Sequence, residues 1–267
     1  MEKIPLSDVI YRGDMAYRAL KSYSRLESKW YKPEVVFVAD QDGWPADWEG
    51  RTILALVMLA QSTKREPAYL ERILSLLKER LNEKGYMGDV LENGIIDEQQ
   101  LSGHNWLLRG LMEYYLWKRD EEILEIVNNI VKNLYLPVRG HYKNYPIDPK
   151  DRDFNGKAAG NLSGRCVNNW LTSTDIGCAY MSLDALSQYY QLAPSQEVKQ
   201  LLVEMIETFV EIPFVNLSMQ THATLSATRG ILRFYETTGE EKYLKYAEDI
   251  FGIYLKEGIT ENYANYN

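Results

Sequence analysis

One segment, written three times, constrains this chain more than any other feature: Leu111–Tyr115 (LMEYY), Leu186–Tyr190 (LSQYY) and Ile231–Tyr235 (ILRFY). Eight residues after each final tyrosine stands an apolar residue, Ile123, Val198 or Tyr243, and the stretch between is charged or polar (KRDEE, QLAPSQE, ETTGEEK). Leu56–Ala60 (LVMLA), followed by STKREPAYL, is a degenerate fourth copy. Helical hairpins repeated in this way bury their apolar faces only against neighbouring hairpins, which predicts a closed or stacked α-hairpin array with its function at one rim.

Periodicity and breakers place helices at about 7–29, 49–63, 67–83, 98–118, 120–134, 174–191, 195–211, 218–238 and 240–256. Within each hairpin the first helix is apolar nearly all round (TILALVMLA, WLLRGLMEYYLW, CAYMSLDAL) and the second is amphipathic (YLERILSLLKERLNEK, EVKQLLVEMIETFVE). The first is therefore expected inside and the second outside. The fold class expected is an all-α toroid of the (α/α)6 type, a single domain over residues 1–267. It supplies roughly nine of the twelve helices of a closed ring, so the ring is expected to be incomplete, as part of a longer protein or an arc closed by self-association into a homo-oligomer. In either case the last hairpin should expose apolar surface. The third copy is delayed by residues 137–172, rich in Gly, Asn, Asp and Pro, a long irregular insertion of the kind that serves as a lid or binding surface, or simply as a crossover.

A formal charge of −8 and a pI near 5.1 oppose nucleic-acid binding, which needs clustered Lys and Arg. Two cysteines, Cys166 and Cys178, rule out a disulfide framework as the source of stability. The N-terminal MEKIPLSDVIYRGDM lacks an apolar stretch for a signal peptide or membrane span, so a cytoplasmic protein without membrane contact is expected.

Counting back eleven residues from the aligned apolar position lands on Gln100, Asp175 and Gln220, and in the degenerate copy near Asp47 and Trp48. These are the N-terminal ends of the inner helices, where unpaired N–H groups and the helix dipole favour polar ligands. His104, Asn105, Trp106, Arg109, Thr221 and His222 gather around that level, His141 lies in the insertion, and Trp44 precedes the first inner helix. Imidazoles, amides, carboxylates and indoles around one opening suit a carbohydrate. Hydrolysing a glycosidic bond normally needs two placed carboxyl groups. The sequence offers Asp40, Asp42, Asp47 and Glu49 in ADQDGWPADWEGR, Asp97 and Glu98 before the second inner helix, and Asp175 before the third. Of these, Asp175, Asp97 and Glu98 are the catalytic candidates, and Trp44, Asp47, Trp48, Gln100, His104, Asn105, His141, Gln220 and His222 the substrate-binding ones.

Each has a plainer reading. The three carboxylates could simply cap helices or favour their dipoles, the histidines could be satisfied core residues, and the tryptophans could be packing. The tyrosine pairs, recurring at a structural position, read as core. Asp151, Asp153 and Asn155 match the first half of a calcium loop, but Leu162 stands where the bidentate glutamate belongs. Cys166 and Cys178 would need further ligands, such as His141, to hold zinc. No cofactor and no metal site are assigned.

Two runs carry a family resemblance. GYMGDVLENGIIDEQQLSGHNWLLRGLMEYY resembles the stretch of β-L-arabinofuranosidase-like glycoside hydrolases in which GYL, an acidic residue and GH open an inner helix ending in an aromatic pair. THATLSATRGILRFYETTGEEKYL is similar to the family's later helix with its TG-x-x-x-YL turn. The resemblance spans about residues 45 to 267 and implies an (α/α)6 glycan-hydrolysing barrel, with His104 and His222 in its sugar pocket. It also implies zinc, a cysteine nucleophile and an acid/base glutamate, but these lie beyond the matched region, and Cys166 and Cys178 do not align with them. The leading expectation is a glycoside hydrolase. The alternatives are a sugar epimerase or isomerase using His104 and His222 as acid and base, and a non-catalytic arc that binds glycan or protein.

Overall fold

The computed structural model describes residues 4, 6–37, 44–92, 94–152 and 162–259. Its framework is four helical hairpins: α3 (Asp47–Thr63) with α4 (Leu70–Lys78), α5 (Glu98–Lys118) with α6 (Glu121–Ile130), α7 (Ser182–Leu192) with α8 (Gln196–Phe209), and α9 (Thr221–Thr238) with α10 (Glu241–Glu257). α1 (Gly13–Leu26) packs beside α3, and the single turn α2 (Pro33–Val36) bridges towards α4. The inner row runs α3, α5, α7, α9, each helix touching the next. α5 is buried nearly all round, whereas α6 buries one stripe, Ile123, Ile126, Val127 and Ile130. This is an all-α toroid arrangement with the inner and outer helices as expected.

The turns repeat as closely as the helices. Arg119 and Gly239, each four residues past the last tyrosine of its copy, sit in the left-handed region at φ 58° and 70° and end their helices. The next helix begins at once, in one case with Asp120 accepting from the backbone N–H groups of Glu122 and Ile123. The final tyrosines clasp these turns: Tyr115 Oη donates to Glu121 at 3.5 Å and Tyr235 Oη to Glu241 at 3.3 Å. Thus only Tyr114 of the tyrosines in the LMEYY and LSQYY pairs is fully buried, and Tyr115, Tyr189 and Tyr190 are half-buried. Inner helices meet backbone to backbone where a side chain is missing. A Cβ added to Gly50 of α3 would stand 2.1 Å from the Leu107 nitrogen of α5, and one on Gly230 of α9 would stand 2.3 Å from the Leu183 carbonyl carbon of α7.

The insertion departs from the sequence reading. Its end supplies β2 (Leu162–Val167) and β3 (Trp170–Ser173) to a three-stranded sheet, order β1-β3-β2, in which β1 (Ile96–Asp97), just before α5, pairs in parallel with β3 and β2 pairs antiparallel to it. Tyr142, Tyr145, Trp170, Tyr180 and Phe209 form a chain of ring contacts with centroids 5.0 to 5.2 Å apart, seating the described part of the insertion against the bundle. The helix expected from 174 begins only at Ser182, after a 3-10 turn over Cys178–Met181, because Gly177 takes φ 86° at the bend. Apolar side chains are exposed at both ends of the row, Met15, Tyr17 and Leu20 on α1 and Phe251, Ile253 and Leu255 on α10. Among the described residues no helix is long and apolar enough to cross a membrane. The tail beyond Thr260 lies outside the described residues.

Candidate functional site

The N-terminal ends of α3, α5 and α9, with the turn before α7, converge on a hollow of about 190 Å³ lined by Trp44, Asp47, Arg51, Ser102, Asp175, Cys178, Met181, Gln220 and His222. Asp47, in the first turn of α3, accepts from Arg51 Nε at 2.8 Å one helical turn on. The Arg51 guanidinium lies 4.3 Å from the centre of the Trp106 ring. Trp106 in turn meets the His222 ring edge to face, 5.5 Å between centroids. Carboxylate, guanidinium, indole and imidazole are therefore stacked in one line across three inner helices. His222 keeps an exposed edge. Partial burial and then Arg51 lower its pKa, against the pull of Asp47. Its free base is consequently the form present at neutral pH.

Beneath the hollow lies a buried knot. Glu98, fully buried in the first turn of α5, pairs with Arg152 and accepts from Tyr145 Oη and from the backbone N–H of Ser173. Arg152 also donates to the carbonyls of Ser173 and Pro146 at 2.7 and 2.8 Å, and Gly177 N–H donates to Tyr145 Oη at 2.7 Å. These bonds fix the turn 173–178, which carries Asp175 and Cys178 into the hollow. Burial, then Glu98, pushes the Asp175 carboxyl above its ordinary value and the Cys178 thiol well above its own. Cys178 accordingly stays protonated and is no nucleophile.

Several expected site residues stand elsewhere. Asp175, Asp47, Trp44, Gln220 and His222 share the hollow, but Gln100 and His104 do not. Gln100 Nε2 donates to the carbonyls of Met87 and Asp89, both at 3.0 Å. His104 is fully buried, with Nδ1 2.7 Å from the carbonyl oxygen of Gln100 and Nε2 accepting from Met87 N–H at 3.0 Å. One ring nitrogen is spent on the first turn of α5 and the other on the loop between α4 and α5, which corrects the expectation of two imidazoles at one opening. Asn105 is buried and accepts from Ala185 N–H, a bond between α5 and α7. Trp48 turns outward and stacks on Tyr31 at 5.6 Å. Asp97 caps α5 through the N–H groups of Gln99 and Gln100, and with Gln100 and His141 lines a separate hollow of about 410 Å³ between the loop before α5 and the start of the insertion. Glu98, proposed as catalytic, is spent on the knot. Glu49 is fully buried, while Asp40 and Asp42 lie outside the described residues.

His104 makes the fold sensitive to acid. Burial lowers its pKa from 6.5 to about 4. The unfolded chain then binds the proton first, so its contribution is complete above pH 6.5 and lost as pH falls towards 4, a cost of about 3 kcal/mol. Urea unfolding at pH 7 and pH 4 should show this loss, smaller in His104→Gln; equal pH slopes in the two proteins would refute it.

Arg51, Ser102 and Met181 reach the hollow without having been singled out in the sequence. The aligned copies contain the signal, since Asp47, Ser102 and His222 all lie nine residues before the aligned apolar position. Asp153 and Asn155 of the calcium-like motif lie outside the described residues. Cys166 is exposed on β2 and Cys178 buried by Ser173, so they do not form a zinc pair. Among the described residues no group of three or more His, Cys, Asp or Glu could hold a metal ion.

The fold belongs to the α/α toroid class, and two solved structures similar to it are sugar enzymes by name. One is D-mannose isomerase, with a TM-score of 0.55 and 12% identity over 94% of this chain and 76% of that one. Another is cellobiose 2-epimerase from Bacillus thermoamylovorans B4167, with a TM-score of 0.53 and 15% identity over 81% of this chain and 61% of that one. At such identities the likeness carries the fold. No protein-family model matches the chain, and no curated protein matches it. These neighbours overturn the glycoside hydrolase expectation, and nothing supports the arabinofuranosidase resemblance in particular. The hollow agrees with that correction: of its two carboxylates one is bound to Arg51, and the catalytic candidates Asp97 and Glu98 are turned away from it.

Proposed function

We propose that this chain interconverts sugars, as an aldose–ketose isomerase or 2-epimerase, by moving a proton at the carbon next to the carbonyl of an open-chain sugar. The observation that carries this reading is the partly exposed imidazole of His222, its pKa lowered by burial and Arg51, lining the same rim hollow as the Arg51 guanidinium. His222 takes the proton from C2. The C2–H electrons form the C1–C2 double bond, and the carbonyl oxygen becomes an enediolate oxygen whose charge faces Arg51. Asp175, kept protonated more readily by its burial, relays a proton between the two enediol oxygens. Return of the proton from His222 to C1 gives the ketose, and its return to C2 after the planar enediolate has turned its other face to His222 gives the epimer. Trp44 and Gln220 offer a stacking face and an amide to the sugar. The two similar structures, an isomerase and an epimerase, support the same class of reaction.

Proton NMR of D-mannose, D-glucose and cellobiose incubated with the protein in D2O tests the reading. Deuterium should enter C2, and a ketose or C2 epimer should appear. An unchanged C2 proton across all three sugars would sink it.

A further inference from the structure

We infer that the sugar taken by this hollow carries an anionic group, phosphate or carboxylate, at the end remote from its reacting carbons, and that Arg229 holds it. The inference rests on the isomerase reading and adds a substrate class to it. Arg229 follows His222 by seven residues on α9, two turns along the same face and about 10 Å along the axis. Its guanidinium is bound to Asp184 of α7, one layer below the residues that line the hollow and on the face of α9 that carries His222. It lies close enough to His222 to depress the imidazole pKa, as Arg51 does from the other side.

The charge around Arg229 is unbalanced. Asp184, fully buried in α7, is bound by Arg109 of α5 and by Arg229 and Arg233 of α9. Glu113 is a further carboxylate beside this cluster, 3.9 Å from Arg109 and bonded to Gln188 Nε2 at 2.7 Å. Three guanidiniums thus converge on one buried carboxylate, in a chain whose formal charge is −8. Burial, and then the charges of Arg233 and Arg229, lower the Arg109 pKa against the pull of Asp184. The Arg109 Nε is buried without a hydrogen-bond partner. Side-chain exposure is 5% for Arg109, 20% for Arg233 and 47% for Arg229, so the excess charge is presented to solvent chiefly through Arg229. The bond to Asp184 already orients this side chain, which lowers the entropy lost on binding. A terminal phosphate or carboxylate would receive charge-assisted hydrogen bonds there, stronger than any a neutral hydroxyl can accept.

Calorimetric titration of the full chain with glucose, glucose 6-phosphate, glucuronate and inorganic phosphate tests the assignment. At least about tenfold tighter binding of one anionic sugar over glucose is expected, the worth of a single charge-assisted hydrogen bond. Phosphate preference and carboxylate preference separate the two sources of charge. Arg229→Gln should bring anionic and neutral sugars level, and Arg229→Lys should restore part of the difference. An unchanged urea midpoint shows that Arg229→Gln still folds, as the remaining Asp184 bonds to Arg109 and Arg233 predict. Equal affinities in the unaltered protein, a preference that survives Arg229→Gln, or inorganic phosphate binding as tightly as glucose 6-phosphate would each overturn the inference. Exchange in D2O is scored separately. Glucose exchanging as fast as its anionic derivatives upholds the isomerase reading and defeats this one, whereas tight Arg229-dependent binding without exchange does the reverse.

Discussion

Glu98→Ala is expected to cost about 3–5 kcal/mol of stability, because it leaves the guanidinium of Arg152 buried without its counter-charge. Both side chains are fully buried, so water cannot replace the lost partner. The same substitution strands Tyr145 Oη and the Ser173 N–H, which also end on Glu98. Urea denaturation followed by circular dichroism measures the loss. The double variant Glu98→Met with Arg152→Met should be markedly more stable than Glu98→Ala, since removing both charges removes the desolvation penalty with the attraction. A Glu98→Ala protein within about 1 kcal/mol of the original would show the knot to be spectator rather than anchor. The loss should reach the site as well, because Ser173 and Gly177, the two ends of the Asp175 turn, are tied to this knot.

The fold was legible because a repeat imposes the same geometry on every copy. The LMEYY, LSQYY and ILRFY segments put the inner helices, the outer helices and even the left-handed residues at Arg119 and Gly239 in corresponding places. The site was legible only in part, for a reason of helical phase. His104 lies seven residues before its aligned apolar position and His222 nine before its own, and two residues turn a helix by about 200°. One imidazole therefore faces the hollow and the other the loop behind α5. Gln100 is out of phase in the same way, whereas Asp175 and Gln220 precede their helices and escape the rule. Reading by phase also finds the charge layer, since Arg109, Asp184 and Arg229 all stand two residues before the aligned position. What remained hidden is non-local. Arg152 pairs with Glu98 across 54 residues, and β3 pairs with Ile96–Asp97 from the far side of the insertion. No periodicity encodes a contact of that kind.

His222→Gln is expected to slow deuterium entry at C2 of the sugar by about 10²–10⁴-fold, the usual worth of a positioned general base. The substitution keeps a polar group at a partly exposed position, so the fold should tolerate it and the deficit should lie in the rate. In the unaltered protein the rate should rise with pH as His222 loses its proton and level off near neutrality, because burial and Arg51 hold its pKa below 6.5. The position of that rise discriminates between a base and a bystander. Arg51→Gln removes a charge that lowers the imidazole pKa, so it should move the rise to higher pH, together with the His222 ring signal in an NMR titration. A bystander histidine would shift in the NMR titration while the rate profile stayed in place. Exchange that survives His222→Gln, or a profile indifferent to Arg51, would remove the imidazole from the chemistry and turn attention to the carboxylates of the hollow, Asp175 and Asp47.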